Sequence, residues 1–135
     1  MKDFPENDDF FIGLRYTDFV LDAAQNSLEP GSQIVLWTRR NEDNENQKWR
    51  YENKMLRNVK TGLVLSAREL NGNVAVDQQH GSESETQRFE YYDHTISVND
   101  HDHLVLGSMV KSEGTQIALV PRDNDSVLQQ WVIIQ

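Results

Sequence analysis

Apolar residues are spread along the chain in short bursts, each cut off by a polar run. "FFIGL" gives way to "RYTD", "FVLDA" to "AQNSLEP", and "IVLW" to "TRRNEDNENQ". Bursts this short suit strands rather than helices. Alternation is explicit in "QIVLW" and "QIALV", where Ile34 and Leu36, and likewise Ile117 and Leu119, share one face. The pattern predicts an all-β chain of about a dozen short strands and no helix.

The bursts recur in a fixed order. Gln-x-aromatic is written at Gln47-Lys-Trp49, Gln87-Arg-Phe89 and Gln129-Gln-Trp131, at spacings of 40 and 42 residues. Upstream of each stands a Val-Leu strand: "FVLDA" from Phe19, "LVLSA" from Leu63 and "LVLGS" from Leu104. Between the two markers lies a glycine-led strand: "GSQIVLW" from Gly31, "GNVAVD" from Gly72 and "GTQIALV" from Gly114. Three markers in one order, three times over, define an internal repeat. The units run approximately over 10–53, 54–93 and 94–135, after an acidic N-terminal segment at 1–9. Each unit reads as four strands.

A unit of about 40 residues cannot bury its own apolar face, so the three are expected to share one core. Trp49, Phe89 and Trp131 take equivalent places in it, each burying ~150–250 Å². The motif glutamines Gln47, Gln87 and Gln129 have a companion role: their amides can satisfy backbone groups of the adjoining loop.

Composition narrows the function. At 135 residues one domain is the default, and 37% apolar with 26% charged residues is not the composition of a disordered chain. A net charge of −9, with Arg39-Arg40 followed at once by "NEDNEN", argues against nucleic acid or an anionic membrane as partner. There is no cysteine, so disulfides, thiol nucleophiles and Cys-based zinc sites are excluded. The start "MKDFPENDDFFIG" lacks an apolar run of signal-peptide length, and no stretch approaches a membrane span. A cytoplasmic location is expected, with unconventional export left open.

These markers resemble the ricin-type β-trefoil lectin family, whose signature is Gln-x-Trp once per unit. The likeness covers about Phe10 to Gln135 and rests on two full Gln-x-Trp copies, one Gln-x-Phe copy and the matching upstream strands. It implies a β-trefoil with pseudo-three-fold symmetry and a carbohydrate-binding function. In such a family the sugar is held by a carboxylate after the Val-Leu strand, an aromatic ending the glycine-led strand, and an amide just before the motif glutamine. The first unit carries all three, as Asp22, Trp37 and Asn46, with Gln47 orienting the loop of Asn46. The second unit offers Ser66, Asp77 and Thr86 at the corresponding places, and the third Gly107, Val120 and Leu128. One unit of three is equipped. The family often adds a polar side chain two residues before the aromatic, where this chain has Val35, and Gln25 is the candidate to compensate.

Other chemistry finds less support. "NDHDH" over Asn99–His103, with His94 nearby, reads as a hairpin turn rather than a metal site. "NEDNEN" and "RDNDS" lack the glycine and later glutamate of a calcium loop. Asn124-Asp-Ser126 is a glycosylation sequon, which acts only in a secreted protein. No nucleophile elbow, phosphate loop or HExxH is present, and nothing selects a catalytic carboxylate pair. No enzyme, metal or cofactor is therefore expected. The expected function is a lectin for galactose or N-acetylgalactosamine-type glycans through the first unit. The alternative is a trefoil with decayed sugar sites that binds a protein through its loops. Self-association is left open.

Overall fold

A computed structural model of the protein describes residues 3–135, apart from the side chain of Gln25. It contains twelve strands, four per unit. The first unit holds β1 (Phe11–Leu14), β2 (Phe19–Ala23), β3 (Ile34–Thr38) and β4 (Trp49–Glu52). The second holds β5 (Met55–Asn58), β6 (Val64–Ala67), β7 (Val74–Gln79) and β8 (Phe89–Tyr92). The third holds β9 (Thr95–Val98), β10 (His101–Gly107), β11 (Ala118–Pro121) and β12 (Trp131–Ile134). Helical backbone among the described residues is limited to 3-10 turns. Three of these, Glu45–Gln47, Glu85–Gln87 and Val127–Gln129, end on the motif glutamine.

Six strands close into a barrel. β1 pairs with β12, β4 with β5 and β8 with β9, all antiparallel. The pairs are joined by one repeated hydrogen bond from the motif aromatic's backbone. Trp49 N donates to Phe10 O at 2.9 Å, Phe89 N to Lys54 O at 2.8 Å and Trp131 N to His94 O at 2.7 Å. The other six strands form three hairpins, β2–β3, β6–β7 and β10–β11, which meet over one end of the barrel. This is the β-trefoil, and it leaves few strand edges free. The turns Asn53-Lys54 and Asp93-His94 both hold positive φ at each residue, which matches two-residue hairpins to the twist of their strands.

Trp49, Phe89 and Trp131 are all fully buried in the common core. Each indole also has a partner for its N–H, Leu21 O for Trp49 at 3.2 Å and Leu106 O for Trp131 at 3.0 Å. A buried tryptophan needs that bond, and Phe89 has no such group to satisfy.

The segment ahead of the first strand is tied to the trefoil. Phe4 is buried against Phe10, Tyr51 and Tyr91, with ring centroids 5.6, 4.8 and 5.3 Å apart. Tyr51 and Tyr91 stand two residues beyond their motif aromatics, and the third unit has Ile133 in that place. Asp3 N donates to Tyr91 O at 2.6 Å, and Glu6 bridges to Tyr51 in parallel.

One expected turn is shorter than the sequence suggests. Only Asn99 and Asp100 turn; His101 and His103 already lie in β10, where His101 pairs with Val98. Asp100 adopts a φ of 68°, which a short polar side chain tolerates, so two residues suffice. A shift of register between His101 and Val105 then restores the facing of the Val-Leu strand.

Candidate functional site

The site grows out of the β2–β3 ladder. Val20 pairs with Trp37, Leu21 with Leu36, Asp22 with Val35 and Ala23 with Ile34. Because side chains alternate, Leu21, Ala23, Ile34 and Leu36 point into the core. Val20, Asp22, Val35 and Trp37 therefore share the opposite face. Asp22 and Val35 are buried there, whereas Trp37 keeps 41% of its surface exposed.

The Gln47 turn folds back over this face. In each unit the motif glutamine clamps the loop that follows the third strand. Gln47 Nε2 donates to Thr38 O at 3.0 Å while its Oε1 accepts from Arg40 N at 2.9 Å. Gln87 does the same with His80 O (2.9 Å) and Ser82 N (2.7 Å). Gln129 does so with Pro121 O (3.0 Å) and Asp123 N (2.7 Å). The two-fold demand of a loop, one carbonyl and one N–H, is met by one primary amide.

In the first unit the clamp also reaches the carboxylate. Gln47 Nε2 lies 3.0 Å from Asp22 Oδ2, and Asn46 Nδ2 lies 3.0 Å from Asp22 Oδ1. Burial pushes the Asp22 carboxyl above its usual value. The Gln47 bond, the Arg40 charge and bond, and the Asn46 bond partly offset that.

Asp22, Trp37 and Asn46 line one pocket of about 470 Å³, together with Val35, Arg40 and Gly114. Nothing in the sequence assigned two of these, Arg40 and Gly114, to the site. Arg40 extends between the loop and the carboxylate: Nε and Nη2 donate to Asp43 O at 3.1 and 3.0 Å, and Nη2 also donates to Asn46 Oδ1. Its Nη1 stands 3.5 Å from Asp22 Oδ2. Both Nδ2 hydrogens of Asn46 are engaged, since it also donates to Ala23 O at 3.1 Å. It is 2% exposed and braces Asp22 from behind. The pocket's cationic donor is Arg40.

Gly114 belongs to the third unit. Its N donates to Leu36 O at 2.7 Å, and a Cβ there would lie 3.9 Å from the Trp37 ring. Its φ of +85° suits glycine. Beside it, Glu113 Oε2 accepts from Thr38 N at 3.2 Å and Thr38 Oγ1 at 2.5 Å. The stacking strand is thus held from the side by another repeat, a contact that no local sequence signal announces. Gln25 lies in the 3-10 turn Ala24–Asn26, and its side chain is outside the described residues.

The other units differ at the same positions. Register corrects one assignment: Val64 pairs with Gln79 as Val20 pairs with Trp37, so Gln79, not Asp77, stands in the place of Trp37. Asp77 pairs with Ser66 and takes the place of Val35. Counted from the leading glycine, Trp37 is six residues on and Gln79 seven, whereas Asp77 is only five. Asp77 is buried, which raises its carboxyl, and it accepts from Gln79 Nε2 at 3.2 Å. In the third unit Gly107 replaces Asp22, and Val120 replaces Trp37. A Cβ on Gly107 would lie 2.8 Å from Val120 Cγ2 and 3.3 Å from Gln129 Cγ, so no acidic side chain fits.

Among the described residues no cluster of three or more His, Asp or Glu is placed to hold a metal. His101 Nε2 instead faces Glu85 Oε1 at 3.2 Å.

No protein-family model matches the chain. Over 58 residues, 43% of its length, it is 40% identical to mucoricin of Rhizopus delemar. The match spans 40% of the length of that curated relative. Among solved structures it is similar to the mdaA-1 domain, at 29% identity and a TM-score of 0.88, covering 97% of this chain and 91% of that one. It is similar to the C-half of the earthworm R-type lectin in complex with GalNAc, at 19% identity and a TM-score of 0.84, covering 96% and 98% of the two chains. It is also similar to the Rhizoctonia solani agglutinin, at 22% identity and a TM-score of 0.79, covering 98% and 96%.

Proposed function

We propose that this chain, which has the ricin-type β-trefoil fold of the R-type lectins, binds carbohydrate through the pocket of its first repeat. The observation that carries the reading is that the buried Asp22 and the part-exposed Trp37, on one face of the β2–β3 ladder, line the same open pocket. A carboxylate accepts hydrogen bonds from two adjacent hydroxyls, and an indole covers the apolar C–H face of the same ring. Arg40 adds an N–H donor at the edge of Asp22, suited to a hydroxyl that gives its own proton to the carboxylate. Sugars of the galactose or N-acetylgalactosamine type meet these demands. That the solved earthworm relative holds GalNAc supports the class of ligand.

Monosaccharides bind open, wet sites weakly, and a millimolar dissociation constant corresponds to only ~4 kcal/mol. Losing a charged acceptor costs ~1.5–3 kcal/mol, enough to take such binding below detection. The test is binding of galactose-terminated glycans by wild type, Asp22→Ala and Trp37→Ala, with circular dichroism showing each to be folded. The reading expects binding by wild type only. Undiminished binding by both folded variants excludes this pocket, and a wild type that binds nothing on a broad glycan array favours the protein-binding alternative.

A further inference from the structure

The floor of the pocket has a chemical order. Trp37, Val35 and Gln33 follow one another along one strand, and Asp22 and Ala24 lie along the other. Ala24 N donates to Gln33 O at 3.0 Å, so the ladder continues past the ends of β2 and β3. Between the carboxylate of Asp22 and the exposed amide of Gln33 lies an apolar stretch made by Val35 and Ala24.

Directly opposed residues have Cβ atoms ~5 Å apart, and next-but-one residues along a strand stand ~7 Å apart. A pyranose whose diol sits on Asp22 and whose apolar face sits on Trp37 therefore carries its next ring substituent over Val35. A hydroxyl delivered there loses water and meets no partner on Val35, whereas a methyl group gains by leaving water. Beyond it, Gln33 offers an amide to any carbonyl that the substituent bears.

We propose that this pocket selects sugars bearing a methyl-terminated substituent, an acetamido group or a 6-deoxy carbon, next to the diol held by Asp22. The inference rests on the carbohydrate reading above and names the ligand class within it. The second unit shows that the position accepts polarity, since Asp77 stands there in the same fold. Val35→Gln is thus a fair test of preference.

The experiment is titration of wild type, Val35→Gln and Gln33→Ala with three methyl glycosides: galactose, 6-deoxygalactose and N-acetylgalactosamine. For wild type, at least one methyl-bearing ligand is expected to bind about fourfold or more tightly than the galactoside, the ~0.8 kcal/mol of one buried carbon. Val35→Gln is expected to erase that preference while still binding the galactoside. An N-acetyl preference that Gln33→Ala also weakens places the acetamide over Val35. A 6-deoxy preference that Gln33→Ala leaves alone places the other flank of the ring there. Equal binding of all three by wild type, or a preference that survives Val35→Gln, overturns the inference and leaves the carbohydrate reading standing. Binding of none of them overturns both.

Discussion

Gln47 Nε2 lies 3.0 Å from both Thr38 O and Asp22 Oδ2, so one amide secures a loop of the fold and the carboxylate of the site. In the other units the same clamp is built without a carboxylate, because Ser66 and Gly107 stand where Asp22 does. The site is thus a modification of a structural element that the chain builds three times.

Removal of the clamp should cost differently in different units. Gln47 is fully buried, so Gln47→Ala strands Thr38 O and Arg40 N and should destabilise by ~1–3 kcal/mol. Gln129 is half-exposed and water can replace its bonds, so Gln129→Ala should cost less. Urea denaturation of the two variants checks the order, and equal losses would contradict it.

Binding should fail at a higher pH than an ordinary carboxylate would dictate. Burial raises the folded-state value of Asp22 above its unfolded one, so the folded chain takes up this proton first as pH falls. Acidification removes a buried charge and adds stability through this group, yet it also removes the ligand's acceptor. Titration across mildly acidic pH should show affinity fading while circular dichroism stays native. Affinity that persists down to the usual range near ~4 would refute it. Asp22→Asn, which lacks the charged acceptor at every pH, should show no detectable affinity anywhere in this range.

Arg40 should matter for binding and for stability alike. It is half-exposed, but its partners Asp22 and Asn46 are buried, so losing the guanidinium strands Asn46 Oδ1 and should cost ~1–3 kcal/mol of stability. As a charged donor to the ligand it should be worth ~1.5–3 kcal/mol. Arg40→Ala is therefore expected to weaken glycan binding by about ten-fold or more and to lower the denaturation midpoint, with circular dichroism showing the variant still folded. A variant that binds as wild type would remove Arg40 from the site.

Calorimetry should count one site per chain. Installing an acid in the third unit by Gly107→Asp should not add another, since its Cβ collides with Val120 and the fold should weaken instead. Three equivalent sites in the wild type would be the contrary result.

The core should be unforgiving at its repeated aromatics. Trp49→Ala and Trp131→Ala each lose a fully buried ring and should cost ~3–5 kcal/mol, much of a typical ~5–15 kcal/mol margin. Phe4→Ala should also cost on the order of 3 kcal/mol, although it precedes the first strand. Losses under 1 kcal/mol for either tryptophan would break the shared-core assignment.

The repeat, the four strands of each unit and the aromatics of the common core are legible in the sequence. Those follow from local periodicity and from the inability of one unit to bury its own face, and both are written in the order of residues. Through the resemblance to the ricin-type family the sequence also marked Asp22, Trp37 and Asn46, each placed relative to one of the repeat's markers. Tertiary structure alone decided what those residues do to one another. Asn46 donates both amide hydrogens to Asp22 and Ala23, Arg40 reaches the Asp22 carboxylate, and Gly114 and Glu113 brace the strand of Trp37 from a repeat some 75 residues away. Register across β6 and β7, not offset from a glycine, fixed Gln79 as the counterpart of Trp37. Such facts depend on which atoms meet after the chain closes, and a one-residue change in a turn is enough to alter them.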